Sequence, residues 1–351
     1  MSGAPYLHRA RSVPVIMLWV LAALLPGIVV HAGFFGPGIL MQLVVSSLAA
    51  LVAESAVLAL RGQRLAPALS DGSALVTAFL LALCLPPLSP WWLTALGSVF
   101  AIVVAKHLYG GLGQNPFNPA MAAYAMLIVA FPALMSQWPL AGEGHQVAGF
   151  GESWRLVFGG ERALDGITGA TPLDALRTGM RGLPGAAPPQ ISTVMAGSGL
   201  GVIAGVGWEW VAAAYALGGL LLVALRVISW HVPTTFLVVL ALISALFWMV
   251  DPASHAPPWF HVVAGGSMLG AFFVATDPVS GASTPRGKCL FAAGIAVLTY
   301  LIRVFGAFPD GIAFATLIMN LCVPIIDRTT QPPIFGHKQG PARRGLRQGD
   351  R

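Results

Sequence analysis

Charge is scarce in this sequence. Charged residues make up 9% of the 351 residues, whereas hydrophobic residues make up 56%. A soluble domain carries roughly 25% charged residues, so this composition excludes a soluble globular protein and indicates one surrounded by lipid. The basic residues behind the net charge of +6 are spread over several segments instead of forming one patch, which disfavours nucleic-acid binding.

Clustered metal ligands are also lacking. The three cysteines, Cys84, Cys289 and Cys322, lie within or beside apolar runs and form no C-x-x-C motif, and no two of the eight histidines are four residues apart. Iron–sulfur and zinc sites require clustered ligands. The sequence therefore predicts no metal site made by this chain alone, and we interpret His107 and His261 as interfacial residues.

Long apolar runs, by contrast, recur throughout the chain. A helix must present about 20 apolar residues to cross a hydrocarbon core about 30 Å thick. The fold class that this pattern predicts is an all-α polytopic membrane protein with about ten transmembrane helices. The predicted spans are residues 13–30, 39–60, 73–87, 91–107, 118–138, 208–228, 233–250, 260–276, 289–305 and 310–326.

The basic residues predict the orientation of these spans. An even number of spans places both termini on one side of the membrane. Only five of the 19 lysines and arginines fall on the other side: Arg303 in a short connection, and Arg155, Arg162, Arg177 and Arg181 in one long loop. Short cytoplasmic connections are rich in Lys and Arg, whereas long translocated loops are exempt from this rule. Both termini are therefore predicted to be cytoplasmic and the long loop periplasmic.

Five spans precede the long loop and five follow it, which would place the two halves in opposite orientations. Pro86-Pro87 before Trp91-Trp92 has a weak counterpart in Pro257-Pro258 before Trp259-Phe260. This pattern fits an inverted repeat, or simply the reuse of Pro and Gly at helix ends. The predicted organisation is a first five-helix repeat at 1–138, the periplasmic loop at 139–207, a second five-helix repeat at 208–334 and a disordered basic cytoplasmic tail at 335–351.

The long loop contains a run of small residues, Asp-Gly-Ile-Thr-Gly-Ala-Thr at 165–171, followed by Pro172. Pro172 restricts Thr171 to an extended conformation, so the run is predicted to be a turn that presents hydroxyl groups. Such a hydroxyl can accept a phosphoester, although Ser/Thr/Gly turns are also common in ordinary loops.

The same run matches the D-x-x-[ST]-G-A-T signature at which a flavin transferase attaches FMN, taken from FAD, through a phosphoester to the last threonine. The chain around it resembles the D subunits of the Rnf complex, an ion-translocating ferredoxin:NAD oxidoreductase. It is more distantly similar to the B subunits of the sodium-pumping NADH:quinone oxidoreductase. Three further stretches carry the resemblance, at residues 110–120, 275–280 and 306–315.

This resemblance implies that Thr171 carries covalent FMN, and that the transferase reads Asp165, Thr168, Gly169 and Ala170 during maturation. It implies an electron-transfer subunit of the bacterial inner membrane, not an enzyme on its own, in a complex that couples electron transfer to Na⁺ or H⁺ translocation. The implied partners are other Rnf subunits, among them a periplasmic flavin-bearing subunit and membrane iron–sulfur subunits. The resemblance also implies a urea-transporter-like arrangement of the ten spans.

Other polar residues are candidates for supporting roles. Arg155, Arg162, Arg177 and Arg181 are candidates to hold the flavin or its phosphate, or are solvated loop residues. Glu54, within the second predicted span, belongs to an ion path, makes a hydrogen bond between helices, or is a snorkelling side chain.

Four more residues lie at predicted helix ends on the cytoplasmic side: Asn115, Asn118, Asp277 and Ser280. They either line a pocket for an ion or a second flavin, which would be riboflavin by analogy with the quinone reductase subunit, or act as helix caps. Two alternatives to an Rnf subunit remain open: a B-like subunit of the quinone reductase, and a non-redox channel of the urea-transporter type.

Overall fold

The structure, a computed structural model, describes residues 11–141, 147–160, 166–181, 190–197, 203 and 205–331. These residues are mostly helical, as composition predicts. Asp165, Arg162 and the predicted tail at 335–351 lie outside the described residues.

The first half of the chain consists of helices. Long α1 and α2 are followed by shorter helices, several of which end where proline interrupts the backbone hydrogen-bond pattern. The last two turns of α5, Ala101–His107, are π-helical. The helices are α1 Val13–Phe35, α2 Gly38–Leu60, α3 Leu65–Leu69, α4 Ser73–Cys84, α5 Trp91–His107, α6 Pro119–Ala130 and α7 Pro132–Met135.

The described residues of the connection between the halves contain two short strands and three helices. Strands β1 and β2 pair antiparallel, with Trp138 opposite Gly169 and Pro139 opposite Thr168. The elements of this connection are β1 Trp138–Pro139, α8 Phe150–Phe158, β2 Thr168–Gly169, α9 Pro172–Arg181 and α10 Ile191–Gly197.

The second half is again helical. Its helices are α11 Trp208–Ala224, α12 His231–Val250, α13 Pro258–Val263, α14 Ser267–Leu269, α15 Pro285–Phe305 and α16 Ile312–Thr330. A π-helical segment, Gly270–Val274, continues α14. Each half therefore contains a Pro-Pro pair followed by a helical segment that ends in π-helix.

Among the described residues, five helices are long and apolar enough to cross a membrane: α1, α2, α12, α15 and α16. Four shorter helices are also apolar: α4, α5, α6 and α11. These features confirm a multi-pass membrane protein. Ten spans arranged as an inverted repeat remain a prediction.

Two predicted spans are not single helices. The run at 118–138 ends as a helix at Ala130, because Phe131 precedes Pro132 and adopts φ −133° and ψ 56°, outside the helical region that a following proline disfavours. The run at 260–276 is broken between α13 and α14, where Gly265 adopts a φ of +66° that glycine tolerates and other residues rarely adopt.

The two halves pack directly against each other. Helix α1 lies along α11, and a Cβ added at Gly218 of α11 would collide with the backbone carbonyl of Ala23 in α1. Small residues allow membrane helices to approach this closely. His31 of α1 and Tyr215 of α11, on either side of this contact, line one of the cavities described below.

Candidate functional site

The predicted attachment residue lies where the β1–β2 pair meets α9. The amide of Leu140 donates to the carbonyl of Ile167 at 3.0 Å, which extends the pairing of the two strands. A Cβ added at Gly169 would overlap the side chain of Leu140. This contact gives a physical reason for glycine at that position of the motif, while Ala170 beside it is exposed.

Thr171 is the N-cap of α9. Its hydroxyl oxygen accepts a hydrogen bond from the amide of Asp174 at 3.3 Å, and its carbonyl accepts one from Ala175 at 2.8 Å. Pro172 occupies the first helical position, where a missing N–H is tolerated. The half-buried hydroxyl of Thr171 therefore sits at the positive end of a helix dipole, which favours an anionic substituent such as a phosphate ester.

Thr171 also lines a cavity, which we call the Thr171 cavity. It encloses about 1120 Å³ of empty space, the open solvent at its mouth included. Trp138 and Trp208 pack edge to face in its wall, with ring centroids 5.5 Å apart. The aromatic side chains that line it are those of His31, Tyr124, Trp138, Trp208 and Tyr215.

One polar atom in the wall of the Thr171 cavity lacks a partner. The Nδ1 atom of His31 is buried without a hydrogen-bond partner among the described residues. Buried polar groups are nearly always paired, so an unpaired one in a cavity wall marks a position where a polar ligand atom can bind. Aromatic walls with one such group suit a flat heteroaromatic ring.

Asp310 joins the cavity to a neighbouring ion pair. Its Oδ2 atom accepts a hydrogen bond from the amide of Gly266 at 2.9 Å, and its Oδ1 atom accepts one from Arg303 Nη2 at 3.1 Å. Gly266 and Asp310 both line the Thr171 cavity. Asp310 lies within the 306–315 stretch that carries the family resemblance, but sequence reasoning assigned it no role.

The predicted loop arginines do not gather around Thr171. Arg155 is exposed on α8 and is not among the side chains that line the Thr171 cavity. Arg177 and Arg181 of α9 line a separate cleft with Arg303, His255 and His261, which we call the Arg177 cleft. Burial and the adjacent charge of Arg181 lower the pKa of Arg177, and Asp174 opposes this shift.

A third cavity, which we call the Asn118 cleft, is lined by three of the four residues predicted at helix ends. Asn115, Asn118 and Asp277 all line this cleft, which encloses about 890 Å³ with its mouth. Asn118 Nδ2 donates to the carbonyl of Val274 at 3.4 Å, which links the start of α6 to the π-helical segment of the other half. Ser280 lies behind Asp277 and donates to its Oδ2 atom at 2.7 Å.

Asn118 also has the role of a helix cap, since its Oδ1 atom accepts a hydrogen bond from the amide of Met121 at 3.2 Å. Capping and lining the cleft are therefore compatible for this residue. Asp277 also makes a hydrogen bond to a nearby backbone amide: its Oδ1 atom accepts one from Val279 at 3.0 Å.

Glu54 is not an isolated carboxylate. Its Oε1 atom pairs with Lys106 Nζ at 2.5 Å and lies 3.2 Å from His107 Nε2, which joins α2 to α5. Lys106 also donates a hydrogen bond to Ser73 Oγ at 2.7 Å. Lys106 and Ser73 both line the Asn118 cleft. A contact between helices, one of the three interpretations of Glu54, is thus present, while a snorkelling side chain does not fit its 2% exposure. Sequence reasoning missed the partner of Glu54, Lys106.

His107 and His261 are both buried, at 4% and 2% exposure. His107 belongs to the Glu54 cluster, and His261 packs edge to face on Tyr300 with ring centroids 5.0 Å apart. Interpreting both as interfacial residues from the sequence missed these contacts. Within the described residues no group of three or more His, Cys, Asp or Glu side chains is placed to hold a metal ion.

The helices and clefts described above define a multi-pass membrane protein with polar clusters between its helices. The sequence model of the NQR2, RnfD, RnfE family matches residues 1–336, and the chain belongs to this family. The resemblance seen in the sequence is thereby confirmed.

Curated relatives match nearly the whole chain. The D subunit of the ion-translocating oxidoreductase complex of Yersinia pseudotuberculosis serotype O:1b (strain IP 31758) is 47% identical over 352 residues, which cover 97% of this chain and 99% of the relative. The D subunits of the same complex from Erwinia tasmaniensis and Vibrio vulnificus (strain YJ016) are each 46% identical. These two matches cover 97% and 96% of this chain and 98% and 99% of the relatives.

Proposed function

We propose that this chain is a membrane electron-transfer subunit with FMN attached to Thr171, and that it works within an Rnf-type complex that moves Na⁺ or H⁺. Its relatives are named as D subunits of an ion-translocating oxidoreductase complex, which favours this assignment over a quinone reductase B subunit. The chain acts with other subunits of that complex, a periplasmic flavin-bearing subunit and iron–sulfur subunits of the membrane among them. It is not an enzyme alone.

The observation that carries the proposal is the position of Thr171, which caps α9 and opens onto a cavity with aromatic walls. In the attachment reaction a bond forms between the Thr171 oxygen and the FMN phosphorus of FAD. The pyrophosphate bond breaks, AMP leaves, and the hydroxyl proton passes to the flavin transferase or to water. The N-terminus of α9 stabilises the phosphate charge, while the aromatic wall is available to pack on the ring.

FMN would supply the one-electron chemistry that side chains lack. The residues of this chain then hold it in place and exclude water from its ring. Covalent attachment suits the periplasmic side of the membrane, where we place the loop, because a dissociated cofactor would diffuse away.

Replacing Thr171 by alanine tests the attachment directly. Co-expressed with a flavin transferase, the wild-type chain is expected to retain yellow in-gel fluorescence after denaturation and to show one added FMN by intact mass. Thr171→Ala is expected to lose both signals, because the ester oxygen is gone. Thr178→Ala is the matched control, since Thr178 is exposed on the same helix. Fluorescence that survives in Thr171→Ala would refute the assignment.

The Asn118 cleft supports a second, non-covalent role for the same subunit. It joins the two halves of the chain and gathers amide, carboxylate and ammonium groups: Asn115, Asn118, Asp277 and Lys106. We propose that this cleft binds riboflavin or the translocated ion. Both ligands suit polar groups at interrupted helices.

Asp277→Asn separates the cleft's proposed role from its local structure, because asparagine keeps the acceptor for the Val279 amide. If the cleft binds riboflavin, the flavin released by denaturing the purified complex is expected to fall in this variant while covalent FMN at Thr171 stays. If the cleft binds the ion, the Na⁺ or H⁺ dependence of electron transfer is expected to shift instead. Unchanged flavin content together with unchanged ion dependence would exclude both roles.

A urea-transporter-like channel remains the alternative from another class. Transport of a small solute by the isolated chain, independent of redox state and of Thr171, would favour it. The aromatic cavity beside Thr171 supports the redox assignment instead.

A further inference from the structure

The charge of the Arg177 cleft comes from arginines, Arg177 and Arg181 of α9 and Arg303 of α15. His255, from the segment before α13, and His261, from α13 itself, add ring nitrogens to its lining. Among the described residues, no aspartate or glutamate lines this cleft. Asp310, which neutralises Arg303, lies on the side of the Thr171 cavity. The electrostatics of the cleft therefore favour an anion.

Several polar atoms at this cleft have no partner among the described residues. Both ring nitrogens of His261, which is only 2% exposed, are buried and unpaired, as is Nε of Arg177. Arg303, in contrast, is fixed by bonds to the carbonyl of His261 at 2.8 Å and to Ser267 Oγ at 2.9 Å. The cleft thus has a rigid inner wall and unpaired polar atoms on its lining residues, as expected of a site that binds a ligand.

Exposed apolar side chains lie near the cleft. Phe247 of α12 packs on the lining residue His255, with ring centroids 5.3 Å apart, and on Phe305, which is 63% exposed, with centroids 5.8 Å apart. Met249 and Val250, at the end of the same helix, are 75% and 79% exposed. Trp259 is 51% exposed and packs edge to face on Trp248, with ring centroids 6.0 Å apart. Tryptophan next to exposed aliphatic side chains is typical of the membrane interface.

We propose that the Arg177 cleft binds the phosphate of an anionic phospholipid, whose acyl chains lie on the exposed side chains at the end of α12 and beside Trp259. A free phosphate would satisfy the arginines but would leave the exposed apolar side chains near the cleft uncovered, so the combination favours a lipid. Basic pockets between membrane helices recognise anionic headgroups in this way.

Such a lipid would connect α9 to the membrane helices. Arg177 and Arg181 belong to the helix that Thr171 caps, while His261 and Arg303 belong to the bundle. A bound headgroup therefore holds α9 against α13 and α15. This inference concerns lipid binding and does not depend on flavin attachment.

The test uses the full chain purified in detergent and studied by native mass spectrometry with added phosphatidylglycerol or phosphatidylcholine. The wild-type chain is expected to retain phosphatidylglycerol preferentially. The double variant Arg177→Gln, Arg181→Gln is expected to bind phosphatidylglycerol at least about tenfold more weakly than wild type, since each interfacial arginine contributes to headgroup attraction. Arg155→Gln, at an exposed arginine of the same connection, is the control and is expected to match wild type.

A second measurement distinguishes the sources of phosphate. An excess of inorganic phosphate is expected to leave the phosphatidylglycerol adduct in place, and amide exchange in α9 is expected to slow in phosphatidylglycerol nanodiscs compared with phosphatidylcholine nanodiscs. Equal lipid retention by the double variant, or displacement of the lipid by inorganic phosphate, would overturn the proposal. Thr171→Ala is expected to bind the lipid normally, so failure of the lipid site and failure of flavin attachment are distinguishable.

Discussion

Glu54→Gln is expected to destabilise the folded chain by about 3–5 kcal/mol, the usual cost of removing one partner from a buried ion pair. Glu54 and Lys106 are 2% and 3% exposed, so solvent screens the bond between them very little. Without the carboxylate, the Lys106 ammonium keeps Ser73 Oγ as an acceptor but loses its counter-charge. The midpoint of thermal unfolding in detergent, followed by tryptophan fluorescence, measures this effect.

The double variant Glu54→Gln, Lys106→Met is the matched control. It removes both charges, and replacing a whole buried pair by uncharged groups is often neutral, so most of the lost stability is expected to return. This variant also separates the two roles of Glu54. If Glu54 belongs to an ion path, the stable double variant still fails to translocate ions in the assembled complex. A single Glu54→Gln variant as stable as wild type would contradict the pairing seen in the structure.

Hydropathy predicted the long helices well because lipid imposes one strong requirement on them. A spanning helix must be apolar for about 20 residues, and α2, α12 and α15 differ from their predicted bounds by only a few residues. The broken segments were harder to predict. The run at 260–276 contains no charged residue, so its hydropathy gave no sign that the helix is interrupted at Gly265 and Gly266.

Part of the candidate site could be described from local sequence. The small residues before Thr171 and Pro172 after it predicted a turn, whereas the role of Thr171 as attachment residue rests on the family resemblance and stays a prediction. The contact between Glu54 and Lys106 joins residues 52 positions apart. Such a contact depends on which faces of two apolar helices meet, and uniformly apolar helices carry little information on that point.

The loop arginines show most clearly what the sequence does not reveal about the site. Their common position in the long loop suggested four equivalent candidates for holding the flavin or its phosphate. The structure separates Arg155, exposed on α8, from Arg177 and Arg181, which line one cleft together with Arg303. Which arginines share a cleft depends on how α9 docks on α13 and α15, and no local pattern in the sequence records that docking.

Asp310→Asn is expected to weaken both the fold and the attachment site. Both carboxylate oxygens of Asp310 accept N–H donors: Oδ1 from Arg303 and Oδ2 from Gly266. Whichever way an asparagine side chain is turned, its NH₂ group faces one of these donors. The side chain of Arg303 is 1% exposed, so losing its counter-charge is expected to cost about 3–5 kcal/mol, measured by thermal unfolding.

The same substitution is expected to reduce covalent flavin at Thr171, because the turn it loosens supports α9. A Cβ added at Gly265 would overlap Leu173, the second residue of α9, so the turn at 264–266 and the start of α9 are packed together. In-gel fluorescence of Asp310→Asn measures this loss. Asp251→Asn is the control, since Asp251 makes only local hydrogen bonds, with Ala253 and Ser254, and asparagine can keep the bond from the Ala253 amide, so a change of at most about 0.5 kcal/mol is expected. If Asp310→Asn kept full stability and full flavinylation, the Arg303–Asp310 pair would have no part in positioning Thr171, and the turn would be held by packing alone.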